Sequence, residues 1–358
     1  MAPRPRSLLL ASGQRLFPAG WGGGELTAHD FLTGLAREGW RVRAIGACSP
    51  SDQRVLAAKL SSFFEERPGP VADGPDVLYD VGYPVRIAPE AEFERRVRAA
   101  IAEDPPDVVF VQALGWPAAA AAAREAGRPV VLYVLADEVL RIPIPERGPD
   151  LVLFDSDAHR RSLEGKFPFG GEVFYPPVDL SRVRTEAPGP SGALTLANPM
   201  PVKGLDVFLE LAVAFPDRRF LAVEGWLLPP YVAKRLARHA NVEVWPWQHD
   251  MRRVYRETAI ALVPSAFEPF GRLPIEAGCC GVPSITSGVG GLPESAGAAR
   301  HVPLESGIEP WIRAVEEWSA PPAWTDASAS ARAWAERFDL PVAIERFRTL
   351  VAPLIGSP

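Results

Sequence analysis

Two glutamates flank a Phe-Gly turn in the segment SAFEPFGRLPIEAGCCGVPSITSGVGGLPES, residues 265–295. Glu268 precedes the turn, and Glu276 follows it with seven residues between them. The apolar run IALVPS before the turn predicts a buried strand, and LPIEAGCC predicts a short helix with Pro274 in its first turn, where a missing amide hydrogen costs least. Because helix N-terminal amides attract anions, we expect a phosphate at FGRLP.

The two carboxylates could bind hydroxyl groups on either side of that phosphate. If a nucleoside diphosphate sugar lay with its phosphates at the turn, Glu268 would accept hydrogen bonds from the sugar and Glu276 from the ribose. The alternative is that Glu276 caps its own helix and that Glu268 is a solvated loop residue. The spacing alone leaves both interpretations open.

Lys203 and a glycine-rich loop are further candidates for phosphate binding. Lys203 lies in NPMPVKGLD at a predicted strand-to-helix junction, where an ammonium can neutralise a leaving diphosphate or can simply be solvated. The loop GWGGGE follows the first predicted strand, and Gly23 and Gly24 would let the backbone approach a phosphate or an acceptor closely. It could equally be a flexible loop, and it lacks the G-x-G-x-x-G spacing of dinucleotide-binding proteins.

Acidic and aromatic residues follow other predicted strands. Asp137 and Glu138 follow a predicted strand in YVLADEV, where either carboxylate could orient or deprotonate an acceptor hydroxyl or merely cap a turn. Trp245 and Trp247, in EVWPWQHD, could wall a nucleobase or pack between a strand and a helix. We expect three histidines on helix surfaces: His29, His159 and His239.

The composition describes a globular protein with two domains. A chain of 358 residues exceeds what one core usually supports, and its 47% hydrophobic and 23% charged residues are ordinary for globular proteins. No apolar run approaches the length of a membrane span, LLLA is too short for a signal-peptide core, and nothing indicates a membrane surface. The net charge of −6 argues against nucleic acid. Three cysteines, an odd number without metal-ligand spacing, fit a reducing compartment, and we expect the cytoplasm. We also expect no catalytic metal.

Short Val-, Ile- and Leu-rich runs alternate with amphipathic helices along the chain, which predicts an α/β fold with parallel sheets. A Pro- and Gly-rich stretch after YPPVDL predicts an interdomain linker. We expect three parts: an N-terminal domain of residues 1–185, a C-terminal domain of residues 186–325, and C-terminal helices over residues 326–358.

The order of these segments strongly resembles glycosyltransferase family 4, a family of retaining enzymes with the GT-B fold. The resemblance covers nearly the whole chain. It rests on GWGGGELTAHDFLTGLAREGWRV, FDSDAHRRSL, YPPVDL, VKGLDVFLELA, and the EPFG, EAGCCGVPSIT and GVGGLPE segments. It implies two Rossmann-like doubly wound parallel-sheet domains facing across a cleft, an acceptor-binding N-terminal domain, and a last helix that crosses back to it.

The same resemblance assigns roles to individual residues. It implies that Glu268 binds donor-sugar hydroxyls, that Glu276 binds the ribose, and that Lys203 serves the diphosphate. The diphosphate would also contact backbone amides of four consecutive residues: Phe270, Gly271, Arg272 and Leu273. The remaining expected donor-binding residues are Gly23, Gly24 and Asn198. The expected catalytic residues are Glu268, Lys203 and Asp137.

The sequence departs from the family at three places. Asn198 stands where relatives commonly carry an arginine, so one expected cation is missing. Arg272 stands where an aliphatic residue commonly follows EPFG, and its side chain could reach phosphate or solvent. Many relatives carry a histidine after the fourth strand of the first domain, whereas here Gln112 or Trp116 occupies that neighbourhood.

We therefore expect a metal-independent, cofactor-free transferase that moves a hexose-like sugar from a UDP or GDP sugar to a small-molecule, lipid or glycan acceptor. Two alternatives are a sugar-nucleotide 2-epimerase of the same fold and a non-catalytic protein that binds nucleotide sugars. Incubation with the donor alone separates them, because epimer release supports the first alternative, whereas tight binding without turnover supports the second.

Overall fold

The computed structural model describes residues 4–48, 69–112, 114–225 and 228–356. It divides the chain into two compact units, each with its own sheet. The first unit contains Met1–Pro177 and Leu340–Pro358, and the second contains Val178–Asp339.

The strands are, in chain order, β1 (Ser7–Ser12), β2 (Arg41–Cys48), β3 (Val71–Asp73), β4 (Asp76–Asp80), β5 (Pro84–Pro89), β6 (Val108–Gln112), β7 (Val130–Val134), β8 (Leu151–Phe154), β9 (Glu172–Val173), β10 (Ala193–Ala197), β11 (Phe220–Val223), β12 (Val242–Trp245), β13 (Thr258–Val263), β14 (Ser284–Thr286) and β15 (Arg300–His301).

The α-helices are α1 (Gly23–Arg37), α2 (Phe93–Glu103), α3 (Trp116–Glu125), α4 (Asp157–Ser162), α5 (Leu180–Val183), α6 (Leu205–Ala214), α7 (Pro230–Leu236), α8 (Arg252–Tyr255), α9 (Leu273–Cys279), α10 (Leu292–Ser295), α11 (Glu309–Ser319), α12 (Pro321–Ala335) and α13 (Leu340–Ile355). Short 3-10 helices lie at Glu90–Glu92, Asp137–Arg141, Pro201–Lys203, Leu304–Ser306 and Glu336–Phe338.

The sheet of the first unit has the order β3-β4-β5-β2-β1-β6-β7-β8-β9 over the described residues. Apolar side chains cover both of its faces: Leu8 and Leu10 of β1 enter one core cluster, and Leu9 and Ala11 enter another. Because successive side chains of a strand point to opposite faces, a continuously apolar strand must be covered on both sides. This explains the uninterrupted hydrophobic run of β1.

This first sheet is parallel, as expected, except at one edge, where two antiparallel pairs make it mixed. The hairpin of β3 and β4 pairs antiparallel with β5, while the other neighbouring pairs are parallel. The buried carboxylate of Asp76 lies beside the guanidinium groups of Arg86 and Arg96 in this edge region. Strands β3 and β4 contain acidic and exposed residues. They therefore lack the continuous apolar run by which the other strands are predicted.

The sheet of the second unit is parallel, with the order β12-β11-β10-β13-β14-β15 in the part of the chain that the structure describes. Strand β10 lies between β11 and β13, and Thr195 pairs in register with Ala261. The chain order therefore reverses beside β10. Loops that follow β10 and β13 leave the same edge of the sheet, which is where open α/β sheets bind ligands.

The unit boundaries differ from the expected ones because short segments are bonded to the second unit. The amide of Val178 donates to the carbonyl of Phe338, and that of Ala187 donates to the carbonyl of Cys280. Residues 178–185 thus belong with the second unit. Helix α12 also packs there, since a Cβ at Gly278 of α9 would lie only 2.9 Å from the carbonyl oxygen of Ala331.

The last helix, α13, packs on the first unit. A Cβ at Gly34 in α1 would lie 2.7 Å from the side chain of Leu340 and 2.9 Å from that of Ile344, so the absence of a side chain lets the two helices approach. Phe347 is fully buried. Its ring lies 4.7 Å from that of Phe31 and 5.9 Å from that of Phe110. The C-terminal helix therefore completes a core that the N-terminal segment begins.

Removal of the Phe347 ring tests this contribution. We expect Phe347→Ala to lower the free energy of unfolding of the first unit by about 3–5 kcal/mol, because the substitution leaves a cavity in a packed aromatic cluster. Val342→Ala on the exposed side of α13 is the matched control, with an expected change below about 0.5 kcal/mol. Denaturant titration followed by fluorescence measures both, and equal stability of the two variants would contradict the packing role.

Candidate functional site

Lys203 and Glu268 form an ion pair in the second unit. The Lys203 Nζ lies 2.6 Å from Glu268 Oε2, and both side chains are largely shielded from solvent. The amide of Ala266 donates to the carbonyl of Val202 at 2.9 Å, so the loops after β10 and β13 are also joined by their backbones. The topology thus brings together two of the three expected catalytic residues.

Gly204 explains how the lysine loop reaches the glutamate loop. It has a positive φ of 87° at the start of α6, a conformation that glycine adopts readily. A Cβ there would lie 2.3 Å from the carbonyl oxygen of Pro264. Any side chain would therefore push the Lys203 segment away from the end of β13.

Glu268 is fixed by its own loop and by the glycines of GVGGLPE. Ser265 Oγ donates to Glu268 Oε2 at 3.2 Å, and the Gly291 amide donates to the Glu268 carbonyl at 3.0 Å. A Cβ at Gly290 would lie 2.1 Å from that carbonyl oxygen, and one at Gly291 would lie 2.2 Å from the carbonyl oxygen of Pro269. The two glycines therefore let their loop pack directly on the backbone of Glu268 and Pro269, a role that the sequence pattern alone does not reveal.

Glu276 is bound at both oxygens. Tyr255 donates its buried hydroxyl to Oε2 at 3.1 Å, and the Nε and an Nη of Arg272 lie 3.2 Å from Oε1. Burial and the neighbouring Glu276 carboxylate raise the pKa of Tyr255 well above its usual value. The Arg272 side chain is only 11% exposed. The sequence left open whether this side chain reaches phosphate or solvent. Its burial shows that it does not extend into solvent.

The turn between the two glutamates is well packed. The Phe270 ring is buried against Phe338 with 5.6 Å between ring centroids, and Ser295 Oγ donates to the Phe270 carbonyl at 2.8 Å. Gly271 has a φ of 97°, which a side chain would strain. Leu273 begins α9 directly after Arg272.

Asn198 directly follows β10, and the two tryptophans lie at the end of β12 and two residues beyond it. Asn198 has a φ of 58°, a left-handed conformation that asparagine tolerates better than most residues. Trp245 ends β12, where its indole Nε1 donates to Glu243 and its ring packs on a small cluster with Val254. Trp247 contacts His249 with 6.4 Å between ring centroids. Trp245 therefore takes part in packing, and its predicted place beside a nucleobase stays a prediction.

The glycine loop of the first unit precedes α1, which starts at Gly23 with Gly22 as its N-cap. The Glu25 carboxylate fills the loop, since a Cβ at Gly20 or Gly22 would lie 2.6 or 2.5 Å from its oxygens. Burial raises the pKa of Glu25, and hydrogen bonds from backbone amides oppose the shift. The amides near Gly23 and Gly24 therefore already face an acid of their own helix.

Asp137 lies in a chain of three side chains in the first unit. His159 Nε2 is 3.1 Å from Asp137 Oδ1, and His159 Nδ1 is 2.6 Å from Asp155 Oδ1. The Asp137 side chain is 50% exposed, whereas those of His159 and Asp155 are 2% and 3% exposed. Burial lowers the pKa of His159, but the two carboxylates outweigh burial and the net pKa is raised.

Two of the predicted surface histidines are buried, so those predictions are wrong. His159 is 3% exposed and His29 is 6% exposed. The His29 ring stacks on Phe17 at 3.9 Å, and its Nδ1 lies 3.0 Å from the Tyr83 hydroxyl. The D-x-x-x-H spacing of Asp155 and His159 is a signal that could have indicated the burial of His159, because Asp155 directly precedes the N-cap Ser156 and His159 lies in the first turn of α4.

The two residues expected near the missing histidine are both buried. Trp116 has no exposed surface and belongs to the core, so it does not offer its ring to a ligand. Gln112 ends β6, and its buried Oε1 has no hydrogen-bond partner among the described residues. Among the residues that the structure describes, no group of three or more His, Cys, Asp and Glu side chains is arranged to hold a metal ion. No helix over the same residues is both long and apolar enough to cross a membrane.

Two family models match the chain over separate ranges. Residues 22–165 match the "Glycosyl transferase 4-like domain", and residues 192–319 match "Glycosyl transferases group 1". The first match begins in the glycine loop before α1. The second contains both Lys203 and Glu268.

Curated relatives agree with these matches. The D-inositol 3-phosphate glycosyltransferase of Segniliparus rotundus is 37% identical over 150 residues, which are 38% of this chain and 31% of that protein. The protein of that name from Mycobacterium sp. (strain JLS) is 33% identical over 37% of this chain and 35% of its own length. The chain thus spans about one third of these curated relatives.

The fold is similar to solved structures over almost the whole chain. Anabaena HepE in complex with UDP-glucose has a TM-score of 0.73 at 18% identity, covering 97% of this chain and 99% of the other. Sucrose-phosphate synthase from Thermosynechococcus elongatus has a TM-score of 0.71 at 16% identity, with coverage of 98% and 99%. These likenesses identify the GT-B fold.

The environments of two histidines predict opposite titration shifts. We expect His159 to titrate above the ordinary histidine value of about 6.5, because two carboxylates face its ring. His301, whose pKa is lowered by burial, should titrate below it and is an internal control. Asp155→Asn should bring the pKa of His159 down. NMR titration of the imidazole resonances measures all three, and a His159 pKa below that of His301 would contradict the assignment.

This shift also sets the direction of a pH effect on stability. A folded-state pKa above the unfolded one means that protonated His159 stabilises the fold at pH values below about 6.5. That contribution is lost as the pH rises through the folded-state pKa. Wild-type and Asp155→Asn proteins should therefore differ in the pH dependence of unfolding in this range.

Proposed function

Because the chain belongs to glycosyltransferase family 4, the group 1 glycosyl transferases with the GT-B fold, we propose that it transfers a hexose-like sugar from a nucleoside diphosphate sugar to an acceptor hydroxyl, with retention of anomeric configuration. The observation that carries this proposal is the ion pair of Lys203 and Glu268 at the carboxyl edge of a parallel sheet. The donor carries UDP or GDP, and the reaction uses neither a metal nor a cofactor.

The second unit supplies the donor-binding residues in this proposal. The ammonium of Lys203 has three hydrogens, so it can retain Glu268 while it donates to a phosphate oxygen. Glu268 accepts from sugar hydroxyls, and Glu276 accepts from the ribose. The diphosphate lies at the amides of residues 270–273, with Asn198 as a further polar contact.

The chemical step breaks the bond between the anomeric carbon and the diphosphate oxygen, and it forms a bond from that carbon to the acceptor oxygen. Negative charge grows on the leaving diphosphate as the bond breaks. Lys203 therefore stabilises the transition state more than the bound donor. The acceptor proton passes to the leaving diphosphate, so the step needs no histidine at the place where many relatives have one.

The acceptor is a small molecule, a lipid or a glycan, and its binding residues belong to the first unit. The relatives named above are D-inositol 3-phosphate glycosyltransferases, which makes D-inositol 3-phosphate a natural acceptor to include in a panel. The three cysteines are all described, and each is a buried thiol rather than half of a disulfide. This state is consistent with a reducing compartment, and we place the enzyme in the cytoplasm.

A panel of UDP and GDP sugars with and without acceptors tests the function. Mass spectrometry should detect a glycosylated acceptor and the matching nucleoside diphosphate. Release of an epimerised sugar from the donor alone would instead identify an epimerase. Tight donor binding with no product under any acceptor would identify a binding protein.

Loss of the Lys203 ammonium should affect turnover more than donor binding. We expect Lys203→Met to lower kcat about a hundredfold or more, while donor affinity changes much less. Lys234→Met is the control, because this lysine lies on the exposed side of α7. Unchanged kcat at saturating donor would remove Lys203 from the mechanism.

The two glutamates should sense different parts of the donor. Glu268→Gln should weaken binding of the nucleotide sugar by about 1.5–3 kcal/mol and leave the plain nucleoside diphosphate nearly unaffected. Glu276→Gln should weaken both ligands, because both contain the ribose. Calorimetric titration with each ligand measures the difference.

Tyr255→Phe is the control that separates a loss of packing around Glu276 from a loss of ribose binding. It removes the hydroxyl that donates to Glu276 and keeps the carboxylate. If Tyr255→Phe and Glu276→Gln weaken the ligands equally, Glu276 acts through packing and its assignment to the ribose is wrong.

A further inference from the structure

Three side chains form a hydrogen-bonded series at the carboxyl ends of β7 and β8 in the first unit: Asp137, His159 and Asp155. Asp155 directly follows β8, and Asp137 begins the 3-10 helix shortly after β7. Ser156 caps α4 by accepting a hydrogen bond from the His159 amide at 2.9 Å. This cap fixes the first turn of α4 and holds the imidazole between the two carboxylates.

We infer that the exposed oxygen of Asp137 accepts a hydrogen bond from an acceptor hydroxyl, and that His159 and Asp155 are positioning residues for that carboxylate. The inference rests on the proposed function. It names the residues by which the first unit recognises a hydroxyl-bearing acceptor.

The number of protons on the imidazole supports this role. Both ring nitrogens face carboxylate oxygens, and a neutral imidazole has only one N–H to donate. Two hydrogen bonds therefore require either an imidazolium or a proton on one carboxyl group. An imidazole that donates through both nitrogens fixes the Oδ1 side of Asp137, and a carboxylate held in this way is a stronger acceptor for a hydroxyl than a neutral oxygen is.

The unequal exposure of the two carboxylates also favours a ligand-binding role. Asp155 is buried, and Asp137 is half exposed. In the described part of the chain, His159 is the hydrogen-bond partner found for Asp137, through Oδ1 alone. A carboxylate has about four lone-pair sites, so Asp137 keeps acceptor capacity on its exposed side.

The test uses two substitutions that separate the ring nitrogens. An asparagine amide at residue 159 can replace Nδ1 and keep the contact with Asp155, whereas a glutamine amide can replace Nε2 and keep the contact with Asp137. We expect Asp137→Ala to raise the acceptor KM about ten- to a hundredfold. His159→Asn should raise it in the same direction, and His159→Gln should raise it less. Donor affinity, measured by calorimetry, should stay at the wild-type value in all three variants.

A second measurement is independent of turnover. The imidazole resonances of His159 should shift when methyl glucoside or myo-inositol is added at millimolar concentration without donor, and the shift should be absent in Asp137→Ala. His301 serves as the reference resonance. This arm remains informative if no transfer is detected, so failure of the proposed function and failure of this inference give different results.

Three outcomes would overturn the inference. One is an unchanged acceptor KM in Asp137→Ala. Another is equal effects of His159→Asn and His159→Gln, which would show that the contact with Asp137 is irrelevant. The third is an unchanged His159 resonance with both polyols in wild-type protein.

Discussion

The ion pair of Lys203 and Glu268 joins two segments 65 residues apart in the chain. It forms because β10 and β13 are parallel neighbours, because Gly204 can pack on the backbone of Pro264, and because Ala266 bonds to Val202. Loss of one partner from a partly buried pair leaves the other charge without compensation. The loops at this edge of the sheet are therefore held to each other by charge as well as by their backbones.

Residue 198 is an asparagine where an arginine was expected, so the loop after β10 has one cation fewer than expected. Asn198 directly follows β10, and its side chain lies beside Gly225, but it supplies no charge. Arg272 supplies a guanidinium in the turn between the two glutamates, and this guanidinium is bound to Glu276. The local excess of positive charge is thus smaller than a count of cations suggests, because both Lys203 and Arg272 already have acidic partners.

Much of the fold could be predicted because its signals are local. The apolar runs of β1, β6, β7 and β13 and the Pro274 helix start are properties of short segments. The antiparallel edge of the first sheet could not be predicted, because its stability comes from pairing and from the ion pairs of Asp76 rather than from an apolar run. Similarly, Trp116 begins α3 and becomes core because it belongs to a cluster with residues of β1, α2 and β6, which no single-segment pattern specifies.

The candidate site likewise combines residues that local patterns select with contacts that depend on the fold. The sequence pattern selects Lys203, Glu268 and Glu276, but the contact between the first two depends on strand order. His159 looks like a helix-surface residue, because α4 is short and polar. Its ring is held between Asp155, which follows β8, and Asp137, in the 3-10 helix after β7. Charges buried in pairs are therefore the residues that a reading of single segments misplaces most readily.

The position of α13 affects the order in which the chain can fold during synthesis. The second unit is one continuous segment, whereas the first is interrupted by it and receives Phe347 from the far end of the sequence. Domains generally fold as they emerge from the ribosome. Here the N-terminal segment emerges first but waits for residues near 347 to fill its aromatic core. The later-made second unit can thus finish folding first, and the long-range closure of the first unit favours slow completion.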